Sequence, residues 1–189
     1  MGCSKDGDTT LPDTKKVLVY DNFDNLDPNV WTSLAQVGTK KWALSSYSGN
    51  GYAQFNPYGS GQPSNVAWLI YNPSITDNGV TTYTGIDMDK QTGEVLTFQT
   101  AQAYLKNIGN TLEVFASTDF DGINFQTATW EKLPANIVTQ GTKYAFVNSG
   151  NVDLSKYKGK LFIAFKAVGD GSNNSATFQI DNFRISCDQ

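Results

Sequence analysis

The sequence has no histidine, and its 189 residues include only two cysteines, Cys3 and Cys187, and one arginine, Arg184. Without histidine the chain cannot build a Ser-His-Asp or Cys-His nucleophilic site, nor a zinc site with a histidine ligand. Two cysteines are too few for a four-cysteine zinc site. The sequence therefore excludes several of the commonest hydrolytic and zinc-dependent mechanisms.

Basic charge is scarce and scattered. Fourteen lysine and arginine residues stand against 18 aspartates and glutamates, for a net charge of −4. Nucleic acid is gripped by clustered basic side chains, so we expect no nucleic-acid partner. The sequence has no P-loop and no Gly-x-Gly-x-x-Gly motif opening a helix. No apolar run approaches the roughly 18 residues that a membrane-spanning helix needs.

What the chain does have is typical of an all-β protein. It contains 17 glycines, nine tyrosines and eleven phenylalanines. Residues 94–103 and 111–117 alternate with a period of two, residues 48–51 predict a tight hairpin, and no segment sustains a helical period. We therefore predict a single jelly-roll β-sandwich of two antiparallel sheets, galactose-binding-like or concanavalin-like, over residues 16–189. The polar residues 1–15 are interpreted as a flexible tether.

The two ends of this domain have related sequences. Residues 16–24 and 176–186 are both rich in β-branched and aromatic residues, and both carry an Asp-Asn pair ahead of a phenylalanine. We predict that the two runs pair antiparallel, because first and last strands commonly close a sandwich. Val17, Val19 and Asp21 share one face of the first run, so we expect Asp21 to point inward.

The last run contains a change of face. Its apolar positions slip by one residue between Ile180 and Phe183, which predicts a β-bulge at Asp181–Asn182. With Asp21 roughly opposite Asp181, carboxylates would meet at the rim of the core, where a calcium ion would make their burial tolerable. The alternative is a solvent-facing aspartate at each strand end.

The extreme N-terminus resembles the start of a mature bacterial lipoprotein. Gly2-Cys3 matches the end of a lipobox, and a polar Ser-Lys-Asp run follows Cys3. We expect lipidation of Cys3 and an outer-membrane, cell-surface location, with Met1 standing where a signal peptide has been removed. Two alternatives remain open, namely an incidental cysteine in a flexible tail and a disulfide between Cys3 and Cys187.

One stretch has the composition of a sugar-binding surface, in which aromatic faces stack on sugar rings and amides bond to hydroxyls. We select as candidate ligand-binding residues Tyr47, Asn50, Tyr52, Tyr58 and Gln62. The alternative is that these aromatic rings fill the core, as most strand aromatics do.

Carboxylates are the only catalytic groups left to consider. Glycoside hydrolysis needs just two, but the sequence around Glu113 lacks the Glu-x-Asp-x-x-Glu spacing of jelly-roll glucanases. Glu113 is therefore interpreted as a solvent-facing strand residue. Residues 119–122 are compatible with a calcium loop or a hairpin turn, and we favour the turn.

Six short runs, taken in order, resemble the choice-of-anchor J, or cleaved-adhesin, jelly-roll domains of bacterial surface proteins. The resemblance extends over roughly residues 17–186, and the runs are Gly49–Phe55, Ala67–Ile70, Leu96–Thr100, Leu112–Gly122, Val152–Gly159 with Ile163–Phe165, and Phe178–Asn182.

This resemblance implies a surface domain that is usually non-catalytic and often holds structural calcium. In such domains acidic residues of the first strand and of the closing Ile-Asp-Asp/Asn strand hold the ion, and the matching positions here are Asp21, Asp24 and Asp181. The chain departs from many relatives in having aspartate rather than glutamate at 21 and asparagine at 182.

Our leading hypothesis is a non-catalytic cell-surface module that binds a glycan or a host or partner protein. The alternative is a structural subunit or spacer of an outer-membrane assembly, which fully buried candidate rings would favour. A glycoside hydrolase is the third hypothesis, and a pair of carboxylates in an open cleft would favour it.

Overall fold

A computed structural model describes residues 14–137, 143–171 and 175–189. These residues form strands and loops and include no α-helix, as the composition predicted. None of the described segments is a helix long and apolar enough to cross a membrane. The strands are β1 Lys16–Asp21, β2 Trp31–Val37, β3 Trp42–Tyr47, β4 Asn50–Phe55, β5 Asn65–Tyr71, β6 Ser74–Asp77, β7 Val80–Tyr83, β8 Ile86–Asp87, β9 Val95–Ala103, β10 Thr111–Ser117, β11 Glu131–Lys132, β12 Val147–Asn148, β13 Val152–Asp153, β14 Lys160–Gly169 and β15 Thr177–Cys187.

The strands form the two antiparallel sheets of a jelly-roll sandwich, which confirms the predicted fold class. The front sheet has the order β12-β9-β15-β4-β3, with β1 also paired to β15 and β13 to β9. The back sheet has the order β11-β10-β14-β5-β2, with β8 also paired to β14. Strands β6 and β7 form a separate two-stranded hairpin.

The main core lies between the two sheets and is built from alternate strand positions. Leu96 and Phe98 of β9 face it, as do Phe178 and Ile180 of β15. The ring of Phe98 meets that of Phe165 from the back sheet edge-on, with centroids 5.0 Å apart. Alternation therefore leaves one outward row on every strand, and the outward row of the front sheet carries the candidate site.

A second apolar cluster covers the outer face of the back sheet. Trp68 lies at its centre, and the rings of Phe115, Phe125 and Trp130 lie 5.4–5.7 Å from it. Phe125 and Trp130 belong to the loop of residues 118–130, which folds over this sheet. Residues 127–130 do not extend the two-residue strand β11, because Trp130 packs onto the sheet face instead.

The chain ends pair as predicted. Strand β1 runs antiparallel to β15, with Lys16 opposite Cys187 and Asp21 opposite Phe183. The expected alignment of Asp21 with Asp181 is wrong by two residues along the closing strand. The reason is that β1 ends at the bulge. On the N-terminal side of the bulge, β15 pairs with β4 instead of β1.

The bulge itself is where the change of face predicted it. The register of β15 against β9 shifts between Asp181 and Arg184, and Asn182 has a φ of 51°. Asparagine tolerates this left-handed conformation better than most residues. Because the extra residue is absorbed here, apolar side chains stay inward and polar ones outward on both sides of the bulge.

Three other strands lie at sheet edges or outside the main sheets. Strand β2 is an edge strand with one buried, four half-buried and two exposed residues, so it shows no clear alternation. Val80–Tyr83 pairs with Ser74–Asp77 as an almost wholly exposed hairpin that has no apolar face. Strand β12 is limited to two residues.

Cys187 is a buried free thiol whose sulfur lies 3.3 Å from Oε1 of Gln91. Cys3, its proposed lipidation and its alternative pairing with Cys187 lie outside the described residues. So does most of the proposed tether. Lys15 is described, and its ammonium pairs with the carboxylate of Asp188.

Candidate ligand-binding face and closing-strand carboxylates

The outward row of the front sheet carries amide side chains at its centre. Gln54 on β4 and Gln179 on β15 are cross-strand neighbours, and Nε2 of Gln179 donates to Oε1 of Gln54 at 3.0 Å. Each glutamine is flanked in sequence by core residues, so alternation turns it away from the core. Two paired amides on a sheet face still have free donor and acceptor capacity toward a polar ligand.

A hollow of about 720 Å³ lies over these amides. Its wall is aromatic, with the rings of Tyr52 and Phe146 6.2 Å apart. The described lining residues are Tyr47, Asn50, Tyr52, Gln54, Lys143, Tyr144, Phe146 and Gln179. The hollow therefore combines aromatic faces with amides and one ammonium group.

A second hollow of about 380 Å³ adjoins the first, because Tyr144 lines both. The rings of Tyr104 and Tyr144 meet edge-on at 6.2 Å, and Tyr58 and Asn56 complete that end. Burial raises the pKa of the Tyr144 hydroxyl, and a hydrogen bond with Thr177 partly offsets the rise. We call the two hollows together the front groove.

The backbone at Tyr144 is strained. Lys143 and Tyr144 have φ values of 45° and 68°, a left-handed conformation that costs side-chain-bearing residues about 1–3 kcal/mol each. The amide of Tyr144 donates to the carbonyl of Gln102 on β9 at 3.0 Å, which anchors the segment at the edge of the front sheet. Strain held in this way is characteristic of functional segments.

The predicted ligand-binding residues fall mostly in this groove. Tyr47, Asn50 and Tyr52 line its larger hollow and Tyr58 its smaller one, whereas Gln62 is exposed and lines neither. Sequence reasoning missed the other lining residues, among them Gln54, Tyr104, Tyr144, Phe146 and Gln179. The two glutamines carried a usable signal, because each occupies an outward position between inward apolar neighbours.

The proposed calcium ligands lie where β1, β4 and the bulge of β15 meet. Asp21 accepts hydrogen bonds of 2.7 Å from the indole of Trp31 and from the amide of Phe23. Asp181 is only 2% exposed, and it accepts from Nδ2 of Asn50 at 3.0 Å and from the amide of Asn182 at 2.6 Å. Asp21 therefore reaches inward to Trp31, as predicted. Val17 does not share its face, because the register of β1 shifts between Val17 and Val19 and leaves Val17 44% exposed.

The three predicted carboxylates interact electrostatically. Burial raises the pKa of Asp181, and the charges of Asp24 and Asp21 raise it further, against the lowering effect of its hydrogen bonds with Asn50 and Asn182. Burial and the charge of Asp21 raise the pKa of Tyr71 to about 12. The closing junction thus concentrates negative charge in a partly desolvated place.

The fit of this junction to calcium depends on its donor chemistry. Calcium takes oxygen ligands, and each carboxylate has lone pairs beyond those used in the bonds described above. As placed, however, no three Asp, Glu, His or Cys side chains in the described part of the chain are grouped closely enough to hold a metal ion. The residues suit calcium by type, and closure around an ion would require them to move together.

Carboxylates are absent from the described lining of the front groove. Glu113 lies on the back sheet, where it forms an ion pair with Lys132. Asp121 accepts from the backbone amides of Ile123 and Asn124, so residues 119–122 form a turn whose carboxylate caps its own backbone. What the groove offers a ligand is stacking surface, amide hydrogen bonds and one lysine.

Comparison with solved structures finds similarity to several distant proteins. The K3 cleaved adhesin domain of Lys-gingipain from Porphyromonas gingivalis is 18% identical with a TM-score of 0.51, covering 89% of this chain and 98% of that one. The CBM22-1 xylan-binding domain of Paenibacillus barcinonensis Xyn10C is 15% identical with a TM-score of 0.49, covering 95% and 99%. The mannan-recognising carbohydrate-binding module TmCBM27 is 14% identical with a TM-score of 0.49, covering 93% and 99%.

The likeness to the cleaved adhesin domain agrees with the fold that the sequence resemblance implied. At this level of identity it extends to the fold alone. No curated protein matches the chain. One family model matches residues 60–188, more than half of the sequence, and it is described as a domain of unknown function, DUF5017. The chain belongs to the DUF5017 family.

Proposed function

We propose that this domain is a non-catalytic binding module that holds a glycan in the front groove. The observation that carries the proposal is the Gln54–Gln179 amide pair, which lines the larger hollow together with the 37% exposed Tyr144. Sugars present apolar ring faces and a fringe of hydroxyls, and this surface offers stacking partners and amides in the same places. The absence of acidic residues from its described lining supports binding without hydrolysis.

The exposed rings favour binding over a purely structural role. Tyr47 and Tyr58 are 77% and 56% exposed, and a spacer gains nothing from placing large rings in water. Tyr52 is only 7% exposed, so this ring packs as the structural alternative expects. A surface protein remains the other partner class, since tyrosines are also enriched in protein interfaces. We further propose that the domain works at the cell surface, attached to the outer membrane through a lipid on Cys3. The lipoprotein-like start of the sequence supports that location.

Replacing Tyr144 by alanine tests the glycan proposal. Because Tyr144 lines both hollows, its loss is expected to weaken binding at least about tenfold, since truncating an aromatic anchor typically costs 1–2 kcal/mol or more. The measurement is isothermal titration calorimetry with neutral xylan and mannan oligosaccharides, preceded by a glycan array. The matched control is Ile123→Ala, which removes an exposed apolar side chain from the loop over the back sheet.

Two results would contradict the proposal. One is that no saccharide on the array binds the unmodified domain. The other is that the Tyr144 and Ile123 variants bind equally well, which would separate any glycan binding from the front groove.

We also propose that calcium binds at the closing junction through Asp21, Asp24 and Asp181. Support comes from the raised pKa of Asp181 and the contribution of the other two charges to it, because a divalent cation would offset their mutual repulsion. When bound, the ion would join the end of β1 to the bulge of β15. Its effect would be on stability rather than on chemistry.

A calcium titration of thermal stability tests this second proposal. Calcium at a hundredfold excess over its dissociation constant is expected to stabilise the domain by about 2.7 kcal/mol relative to a chelated sample. Asp181→Asn is expected to abolish that gain, whereas Asp77→Asn, in the exposed β6–β7 hairpin, should keep it. Identical melting curves with calcium and with chelator would overturn the proposal.

A further inference from the structure

A third hollow, of about 450 Å³, lies on the front sheet beside the bulge of β15. Arg184, the single arginine of the sequence, is the only charged residue among its described lining residues. The others are polar, aromatic or glycine: Tyr20, Thr97, Phe98, Gln99, Asn148, Ser149, Gly150, Asn151 and Asn182. A hollow with a lone cation and no acid is notable in a chain with 18 acidic residues and a net charge of −4.

The guanidinium of Arg184 is held by stacking rather than by a counter-ion. Its central carbon lies 4.9 Å from the ring centroid of Tyr20, and none of the ion pairs among the described residues involves Arg184. The attraction between a cation and a ring uses no N–H group as a hydrogen-bond donor, so these groups of the guanidinium stay available to a ligand. The charge is therefore oriented but not neutralised.

A relay of hydrogen bonds fixes the polar lining around this cation. The hydroxyl of Tyr20 donates to Oδ1 of Asn182 at 2.7 Å, and Nδ2 of Asn182 donates to Oε1 of Gln99 at 2.9 Å. Nε2 of Gln99 in turn donates to Oδ1 of Asn148 at 2.9 Å. The relay crosses β1, β15, β9 and β12, so it holds side chains from four strands in one arrangement before any ligand arrives.

The hollow and the front groove lie on the same face of the same sheet. Gln179 lines the groove, and Asn182 and Arg184 line the third hollow three and five residues further along β15. The bulge keeps all three side chains in the outward row, because it absorbs the residue that would otherwise turn Arg184 inward. One extended ligand on this face would meet both.

We propose that the Arg184 hollow binds the anionic group of an acidic sugar unit, in a saccharide whose neighbouring units lie in the front groove. The inference rests on the proposed glycan-binding function and adds the ligand class. A guanidinium edge matches two oxygens of a carboxylate or a sulfate in a bidentate contact. A uronate and a sulfate ester share that chemistry, and the absence of acidic side chains from the described lining removes repulsion.

The test compares pairs of probes that share one saccharide backbone and either carry or lack the anionic group. Oligogalacturonate and its methyl ester are titrated into the domain by calorimetry, with sulfated and unsulfated galactan oligosaccharides as the second pair. The unmodified domain is expected to prefer the charged member of one pair at least about tenfold, as charged hydrogen bonds typically provide. The pair that shows the preference identifies carboxylate or sulfate as the group recognised.

Two variants assign the preference to Arg184. Arg184→Gln is expected to bind the charged and neutral members of that pair equally while keeping affinity for the neutral one. Lys166→Gln is the matched control, because its ammonium also stacks on a ring, 5.4 Å from Trp68, but on the back sheet. It removes the same single charge and should retain the preference.

Each other outcome overturns the inference. Equal losses in the Arg184 and Lys166 variants would mean that net charge, and not this hollow, sets the preference. Binding of neutral saccharides with no preference for charge would leave the proposed function standing and remove only this inference. Binding of no saccharide at all would remove both.

Discussion

Replacing Phe183 by alanine is expected to lower the free energy of unfolding by about 3–5 kcal/mol. Phe183 is fully buried, and its ring lies 5.1 Å from that of Trp31, 5.3 Å from that of Tyr71 and 6.1 Å from that of Phe165. All three partners belong to the back sheet, so a cavity here would loosen the contact between the two sheets at the point where the first and last strands close the sandwich. Urea denaturation followed by fluorescence measures the change.

The control for this prediction is Val17→Ala on β1. Val17 is 44% exposed, so its truncation should cost less than about 1 kcal/mol. A Phe183 variant as stable as the Val17 variant would mean that the paired chain ends contribute little to stability. The midpoint and the slope of each curve should be compared, because a changed slope would indicate loss of two-state unfolding.

The Gly51→Ala variant is expected to lose about 1–3 kcal/mol through overpacking. A Cβ at this position would lie 2.3 Å from the carbonyl oxygen of Phe23 and 3.0 Å from the Cα of Asp24. Both are backbone atoms, so no side-chain rotation relieves the clash, and the segment after β1 must move away from β4. The same movement would displace Asp24 from Asp181, and thermal melts with and without calcium would report both effects.

Gly109→Ala is the matched control, because a Cβ there would meet only the side chain of Asn107, at 3.3 Å. We expect this variant to stay within about 1 kcal/mol of the unmodified protein. A Gly51 variant with unchanged stability would show that the segment after β1 does not need its close approach to β4.

Much of the architecture was predictable because strand periodicity is written into neighbouring residues. The inward and outward alternation of residues 94–103 and 111–117 marked two central strands, now β9 and β10. The parity change between Ile180 and Phe183 located the bulge, since a slip of one residue reverses every side chain beyond it. Alternation and changes of face depend only on neighbouring residues, and they can be read in the sequence wherever one face of a strand is buried and the other is exposed.

The parts that could not be predicted depend on contacts between distant segments. Tyr144 is placed in the front groove by a left-handed backbone and by a hydrogen bond to the carbonyl of Gln102. Neither feature can be predicted from the residues next to it in the sequence. Trp130 packs on Trp68, which lies 62 positions earlier in the chain. The residues next to Trp130 therefore do not show which surface it covers. The candidate site was predicted from composition alone, without knowledge of which segments meet. Tyr47 and Tyr52 do line the front groove, but Gln62 lies outside both of its hollows.

The loop that covers the back sheet has a practical consequence for measuring weak ligands on a sensor chip. Coupling through a thiol introduced at Ile123, 66% exposed on that loop, in a variant with Cys3 replaced by serine, would turn the front groove toward the flowing analyte. Random amine coupling would include Lys143, which lines the groove and would press it against the matrix in some molecules. The orientation of the immobilised protein, and not only its density, will set the fraction of binding-competent molecules.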